Sequence, residues 1–237
     1  MRRRVGTPGM AGIGLVSALG PGSGGAAVFG GAAPAATWWD LDGAILTCVA
    51  AYQPKGAASL AASYVNLANP GTYDAVVGVA PAWAAGTGWT FNGATQYLTS
   101  AIPYVSNWSF LMAYSAPASA VFMGIVGSPG NYMISPNETG GGGRVYYYNG
   151  APFTVVPGLA AGVVGWADRA CYRDGVPDGN AGAYGPIAAT STFGMGARMV
   201  AGAPNTYIPI TLKAIAWWST ALTAPQMLAL AIRMAAL

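Results

Sequence analysis

The chain has 237 residues, of which 54% are hydrophobic and 7% charged, and it contains no histidine and a single glutamate, Glu138. Ordinary soluble domains carry roughly 25% charged residues. Without histidine the Ser-His-Asp and Cys-His arrangements are excluded, and one glutamate leaves a glycosidase without a glutamate pair, so we expect no catalytic residues and no enzyme.

The formal net charge is +3, and three of the ten basic residues are Arg2, Arg3 and Arg4. The other seven are scattered singly, whereas nucleic-acid-binding proteins concentrate lysine and arginine on one face. We therefore expect no nucleic-acid partner. So sparse a charge leaves much neutral surface, which is typical of a subunit whose faces are covered by partners.

Residues 1–36 differ from the rest of the chain, because they are rich in Gly, Ala and Pro and carry no charge after Arg4. Three interpretations remain open: a signal peptide, a membrane span interrupted by glycine and proline, and an extended arm that docks on neighbouring subunits. We favour the arm, because such a segment cannot form a core of its own, and we expect no membrane span. Its attachment residues would be Arg2, Arg3, Arg4, Leu15, Val16 and Phe29.

Residues 37–237 are predicted to form one β domain, because short apolar segments alternate with Gly- and Pro-containing turns. A helical turn is predicted within 57–66. The predicted strands include 47–52, 108–114, 121–126, 132–135, 144–148, 160–166, 170–173, 193–197 and 212–218. The six aspartates are interpreted as turn and strand-end residues.

The segment 88–98 has the strongest local signal, with Asn92-Gly93 between two runs of alternating apolar residues. Asn-Gly supplies the positive φ angles of a two-residue hairpin turn, so the segment predicts a β-hairpin. Cys48 and Cys171 lie in predicted strands and form no CxxC motif. Buried free thiols are the favoured interpretation, and a disulfide remains the alternative.

The last predicted element is a helix. Thr223 and Gln226 form a capping box with Pro225 in the first turn, and the residues from Met227 to Ala236 favour helix. The sequence therefore predicts an all-β sandwich with an extended N-terminal arm and a short C-terminal helix.

Five segments in order resemble the bacterial and phage type of laminin-G-like, concanavalin-A-like lectin domain. They are Trp39-Asp-Leu-Asp, 81–98, Trp108-Ser-Phe-Leu-Met-Ala-Tyr, Tyr172-Arg-Asp-Gly-Val and 194–226. The resemblance implies a jelly roll of two antiparallel sheets with adjacent first and last strands. It also implies calcium binding in some members, for which Asn66, Asn69 and Asp74 lie in the corresponding region. No acidic cluster is present, so we expect no metal or other cofactor, with calcium as the alternative.

Tyr146, Tyr148 and Asn149 form the most suggestive ligand surface. Sugar rings stack on aromatic faces, an amide can bond hydroxyl groups, and alternation places both tyrosines on one face of a strand. A purely structural role is the alternative. Trp217 and Trp218, in the last strand, are expected to be structural, with one ring facing inward.

Two functional hypotheses follow. The first is a noncatalytic subunit of a virion or similar surface assembly, such as a phage decoration, spike or fibre protein. It would be homo-oligomeric, attached to neighbouring subunits through its arm, and able to bind cell-surface glycans weakly. The second is a secreted bacterial carbohydrate-binding or adhesion module whose first residues are a leader. The expected location is accordingly a virion surface or the extracellular space.

Overall fold

The computed structural model describes residues 37–41, 48–102, 107–117, 123–126, 131–138, 144–149, 151–155, 158–180 and 192–237, with backbone alone for Glu138, 144–149 and 151–155. The predicted arm, with its six attachment residues, lies outside the described residues. The described residues belong to one compact unit, Ala36–Leu237.

Seventeen strands and two helices make up the described part of the chain. The helices are α1 (Leu60–Ser63) and α2 (Ala224–Ala235). The strands are β1 (Cys48–Tyr52), β2 (Val76–Val79), β3 (Ala82–Ala84), β4 (Gly88–Asn92), β5 (Tyr97–Ser100), β6 (Ser109–Ser115), β7 (Met123–Val126), β8 (Asn131–Glu138), β9 (Arg144–Asn149), β10 (Ala151–Val155), β11 (Ala161–Ala167), β12 (Ala170–Arg173), β13 (Val176–Asn180), β14 (Phe193–Met195), β15 (Ala197–Val200), β16 (Ala203–Tyr207) and β17 (Pro209–Trp218).

Two sheets form the sandwich and confirm the predicted all-β fold. The first has the order β13-β12-β11-β6-β17-β4-β3, with β1 also paired to β17. The second has the order β10-β9-β8-β7-β14-β5-β2, and β15 and β16 complete it. The adjacency of first and last strands is confirmed by the antiparallel β1–β17 pair. One pair departs from the antiparallel pattern: the chain reverses at Gly196, whose φ is 80°, and β15 then runs parallel to β7.

The predicted hairpin at Asn92-Gly93 is wrong, because β4 and β5 lie in different sheets. Gly93 has a φ of 70°, but Asn92 does not share the positive φ that a type I′ turn requires. Instead, the Asn92 side-chain oxygen accepts hydrogen bonds from the backbone N–H groups of Ala94 (2.9 Å), Thr95 (3.1 Å) and Gln96 (3.3 Å). The segment is thus a side-chain-stabilised arch between the sheets.

Strand β17 is buried on both faces because it separates two apolar clusters. Ile215 and Trp217 contribute to the inter-sheet core, which lies between the two sheets. Ala216 and Trp218 contribute to the helix-side core, which lies between the first sheet and α2. The alternation of β side chains explains why neighbouring tryptophans enter different cores. Both tryptophans are fully buried, as their predicted structural role requires.

Helix α2 begins as the sequence predicts. The Gln226 side-chain oxygen accepts hydrogen bonds from the Thr223 backbone N–H (2.8 Å) and hydroxyl (2.9 Å). Met227, Leu230 and Met234 share one face of the helix and are buried in the helix-side core. Neither described helix has the length and hydrophobicity needed to cross a bilayer.

Neither Cys48 nor Cys171 forms a disulfide in the described part of the chain. Cys171 is fully buried in the inter-sheet core, as predicted, whereas Cys48 is only half-buried.

Replacing each of the two tryptophans by phenylalanine should have unequal effects. The Trp218 indole N–H donates to the Trp39 carbonyl at 3.0 Å, whereas the Trp217 indole N–H has no partner among the described residues. Trp218→Phe therefore loses a hydrogen bond, while Trp217→Phe removes an unsatisfied buried donor. We expect Trp218→Phe to lower the free energy of unfolding by about 1 kcal/mol more than Trp217→Phe, measured by urea denaturation. The reverse order would contradict the hydrogen-bond assignment.

Candidate functional site

A two-residue turn, Asp168-Arg169, joins β11 to β12. Ala167 pairs with Ala170 across the turn, which leaves only those two residues to reverse the chain. Asp168 has a φ of 51°, and Asp tolerates this left-handed region better than most residues other than Gly and Asn. Its backbone N–H donates to the Trp108 carbonyl at 3.2 Å, which ties the turn to the start of β6.

The neighbouring strand β13 brings Asn180 to the same end of the sheet, because Ala170 is registered with Asn180. The β12–β13 turn consists of Asp174 and Gly175, with φ values of 51° and 80°, as a type I′ hairpin turn requires. The Asp174 carboxylate accepts a hydrogen bond from the Val163 N–H at 2.8 Å. Three adjacent strands therefore fix the relative positions of the Asp168-Arg169 turn and Asn180.

These residues line a pocket of about 370 Å³, which we call the turn pocket: Ala167, Asp168, Arg169, Ala170 and Asn180. Small-molecule sites commonly occupy about 300–1,000 Å³. Two other described cavities fall below that range, one of about 230 Å³ beside α1 and one of about 90 Å³ near the end of α2. The turn pocket is therefore the largest of these three, and its volume falls within that range.

The lining of the turn pocket combines two alanines with three residues that have polar side chains. Asp168 Oδ2 lies 3.8 Å from Arg169 Nε, and each side chain is 45% exposed. An exposed ion pair of this kind adds little to stability. Carboxylate, guanidinium and amide groups together provide hydrogen-bond acceptors and donors. The arrangement is suited to a ligand that presents several hydroxyl groups.

The predicted ligand residues Tyr146, Tyr148 and Asn149 lie in β9, which pairs with β8 and β10. In this register Tyr146 is opposite Ser135 and Tyr148 is opposite Met133. The side chains of β9 lie outside the described residues, so the stacking surface stays a prediction.

Asn66, Asn69 and Asp74 are brought together in the loop that follows α1. The Asn66 side-chain oxygen accepts hydrogen bonds from the N–H groups of Ala51 (2.9 Å), Ala68 (3.1 Å) and Asn69 (3.3 Å). Its side-chain nitrogen donates to the carbonyls of Val49 (2.9 Å) and Thr72 (2.8 Å). Asn66 thus bonds both a carbonyl and an N–H of β1, as a neighbouring strand would.

Two oxygens of the predicted calcium residues already accept backbone hydrogen bonds. The Asp74 oxygen Oδ1 accepts from the N–H groups of Asn66 (2.8 Å) and Gly71 (3.2 Å). Since Asn66 Oδ1 and Asp74 Oδ1 both face N–H groups, a cation bound to these two atoms would meet the positive ends of those dipoles. Calcium binding at Asn66, Asn69 and Asp74 stays a prediction.

A buried tyrosine anchors the same loop. The Tyr52 hydroxyl donates to the Tyr73 carbonyl and lies 3.0 Å from the Ser100 hydroxyl. Burial raises the pKa of Tyr52, so its hydroxyl stays protonated and remains a donor. Tyr73 has a φ of 57°, a conformation that this contact helps to hold.

The sequence does not single out Arg169 or Asn180, which line the turn pocket. It predicts Asp168 only as one of the aspartates at turns and strand ends. The gap between the predicted strands 160–166 and 170–173 indicated a tight turn with two charged residues at its tip. Asn180 gave no comparable signal, because its position depends on the register of β13 with β12.

No protein-family model and no curated protein sequence matches the chain. Among solved structures, it is similar to domain 4 of AbnA, a GH43 extracellular arabinanase from Geobacillus stearothermophilus solved with arabinotriose. The TM-score is 0.52 at 13% identity, and the match covers 78% of this chain and 98% of that one. It also matches Trypanosoma rangeli sialidase in complex with 2,3-difluorosialic acid. That match has a TM-score of 0.47 at 16% identity and covers 80% of this chain but 33% of the sialidase.

The prediction that the chain is not an enzyme is corrected by these comparisons. The similar arabinanase domain is part of a glycan-cleaving enzyme, so the fold occurs within the class that composition was used to exclude. The lack of histidine excludes histidine-based chemistry, but it does not exclude an enzyme class. A likeness at 13% identity assigns no reaction to this chain.

The comparisons give no support to a laminin-G assignment, a phage or virion role, or the predicted assembly partners. Domain 4 of the arabinanase is matched over nearly its whole length. What this likeness shows is the fold, an all-β sandwich of a kind found in a carbohydrate-active protein.

Proposed function

We propose that this protein is an extracellular glycan-binding module and that the turn pocket contributes to its binding site. The turn pocket carries the proposal, because it sets three hydrogen-bonding side chains around a space of small-ligand size. Its walls, Ala167 and Ala170, are small, so the polar groups border open space. This role corresponds to the second functional hypothesis from the sequence, a secreted carbohydrate-binding or adhesion module.

The chemistry of the three side chains supports a sugar ligand. Sugar hydroxyls both donate and accept hydrogen bonds. The Asp168 carboxylate accepts, the Arg169 guanidinium donates, and the Asn180 amide does both. The arabinanase domain of similar fold was solved with arabinotriose, which supports this ligand class without assigning a particular sugar.

The strand β9 is a second candidate surface for the same function. If Tyr146 and Tyr148 share an exposed face, they provide a stacking platform, and Asn149 can bond hydroxyl groups. The two surfaces make separate predictions, because the residues that line the turn pocket belong to β11, β12, β13 and their connecting turn.

Affinity for a single glycan should be weak, because a shallow pocket buries little surface. Display in several copies raises the apparent affinity, since the second binding event occurs at a high effective concentration. A multivalent form of the protein is therefore the appropriate reagent for detecting binding.

Asp168→Gly should separate binding from folding. Glycine adopts the left-handed conformation without strain, so stability should stay equal or rise by about 1 kcal/mol, while the carboxylate is lost. We expect glycan binding to fall at least tenfold in Asp168→Gly and in Asn180→Ala, each measured on a glycan array with the multivalent protein. Thermal unfolding of both variants checks that they are folded.

Asn205→Ala is the matched control, because Asn205 is exposed and lies outside the turn pocket. Tyr146→Ala and Tyr148→Ala belong in the same series. Binding that survives both pocket variants but is lost in a tyrosine variant would move the site to β9. An absence of binding by every multivalent form would refute the proposed function.

A further inference from the structure

We infer that the turn pocket selects neutral glycans over acidic ones, an inference that rests on the proposed function. Its lining contains one anion, Asp168, and one cation, Arg169, next to the neutral Asn180. Over the described residues, the formal charge of the lining is therefore zero. A site for acidic sugars would be expected to present an excess of positive charge.

The charges of Asp168 and Arg169 lie close enough to offset each other. Asp168 Oδ2 and Arg169 Nε are 3.8 Å apart, which is longer than a hydrogen bond but close enough for mutual compensation. A ligand carboxylate that approaches Arg169 must therefore also approach the carboxylate of Asp168. A neutral hydroxyl carries no such penalty, since it can donate to one group and accept from the other.

The backbone holds the two residues side by side in a tight turn. Asp168 and Arg169 are the only residues between the paired Ala167 and Ala170, and their turn is tied to Trp108 through the Asp168 N–H. At the other end of β12, the ion pair of Arg173 and Asp178, at 2.6 Å, links β12 to β13. The turn therefore presents Asp168 and Arg169 to a ligand together.

Two substitutions shift the charge of the turn pocket in opposite directions. Asp168→Asn leaves Arg169 uncompensated, and asparagine tolerates the positive φ at this position. Arg169→Gln leaves Asp168 uncompensated. Two charges a few ångströms apart at a protein surface interact strongly enough for each change to alter relative affinity about tenfold.

The test compares wild-type protein, Asp168→Asn and Arg169→Gln, all displayed multivalently, on matched pairs of neutral and uronic-acid-containing oligosaccharides. We expect the wild type to favour the neutral member. In Asp168→Asn the acidic-to-neutral binding ratio should rise about tenfold, and the gain should shrink as salt is raised from 50 to 500 mM. In Arg169→Gln the ratio should fall.

The outcomes distinguish this inference from the proposed function. Wild-type preference for the acidic member, or an unchanged ratio in Asp168→Asn, would overturn neutral selection while leaving glycan binding intact. No binding of either member by the wild type would overturn both. Circular dichroism and thermal unfolding identify any variant whose altered ratio comes from misfolding.

Discussion

Asn66→Ala should lower the free energy of unfolding by about 3–5 kcal/mol, because it leaves buried backbone groups without their hydrogen-bond partner. The Asn66 side chain makes five hydrogen bonds, and Asn66 is fully buried. One of the groups left without its partner is the N–H of Ala51, which lies in the fully buried part of β1. The loss of several bonds at one site exceeds the usual effect of a single substitution.

Urea denaturation of wild-type protein and Asn66→Ala measures this loss, and a drop of roughly 10 °C in the thermal midpoint should accompany it. Asn205→Ala is again the control, because the exposed Asn205 bonds only Arg198 among the described contacts and should change stability by less than about 0.5 kcal/mol. A loss below about 1 kcal/mol in Asn66→Ala would show that water or neighbouring groups replace the asparagine.

Gly165→Ala should lower the free energy of unfolding by about 1–3 kcal/mol through overpacking in the first sheet. Gly165 lies in β11, and a Cβ atom built on it would be 1.9 Å from the carbonyl oxygen of Phe110. The obstacle is the backbone of β6, which β17 holds from its other side. Because no side chain can move aside to relieve the contact, the strands must separate, and such overpacking is costly.

Gly86→Ala is the matched control, since its added Cβ would meet no atom within 4 Å and its backbone is not in the left-handed region. We expect it to change the free energy of unfolding by less than about 0.5 kcal/mol. Equal stabilities for the two alanine variants would contradict the close approach of β11 to β6.

Local sequence signals predict where helices and strands occur better than they predict which strands pair with one another. The Thr223-Gln226 box started α2 where expected, because capping depends on residues three apart in sequence. Asn92-Gly93 predicted a turn correctly but a hairpin wrongly. Nothing in a short segment states whether the following strand joins the same sheet, and here the inter-sheet core places β4 and β5 in different sheets.

The sequence singles out the region of Asn66, Asn69 and Asp74, but it does not predict the backbone hydrogen bonds that Asn66 makes there. Amide and carboxylate oxygens can bind either a cation or backbone N–H groups, and sequence cannot distinguish these uses. The choice depends on the unpaired edge of β1, which supplies the Ala51 N–H and Val49 carbonyl that Asn66 bonds. That edge exists only once β1 has paired with β17.

The turn pocket was least accessible to sequence reasoning. A three-residue gap between the predicted strands 160–166 and 170–173 indicates a turn that contains Asp168 and Arg169, but their neighbour Asn180 comes from a third strand. The register of β13 with β12 contains an irregularity between Cys171 and Tyr172, so counting residues along the chain would misplace Asn180.

The central position of β17 governs how the chain can fold during synthesis on the ribosome. This strand pairs with β6 on one side and with β1 and β4 on the other. Three strands that come earlier in the chain therefore depend on a strand that is synthesised after them. Until β17 leaves the exit tunnel, the edges that will receive it stay open, and contacts of high sequence separation delay completion of the sheet. Nascent chains would therefore present unpaired β edges until β17 has emerged, which makes chaperone protection most valuable during that interval.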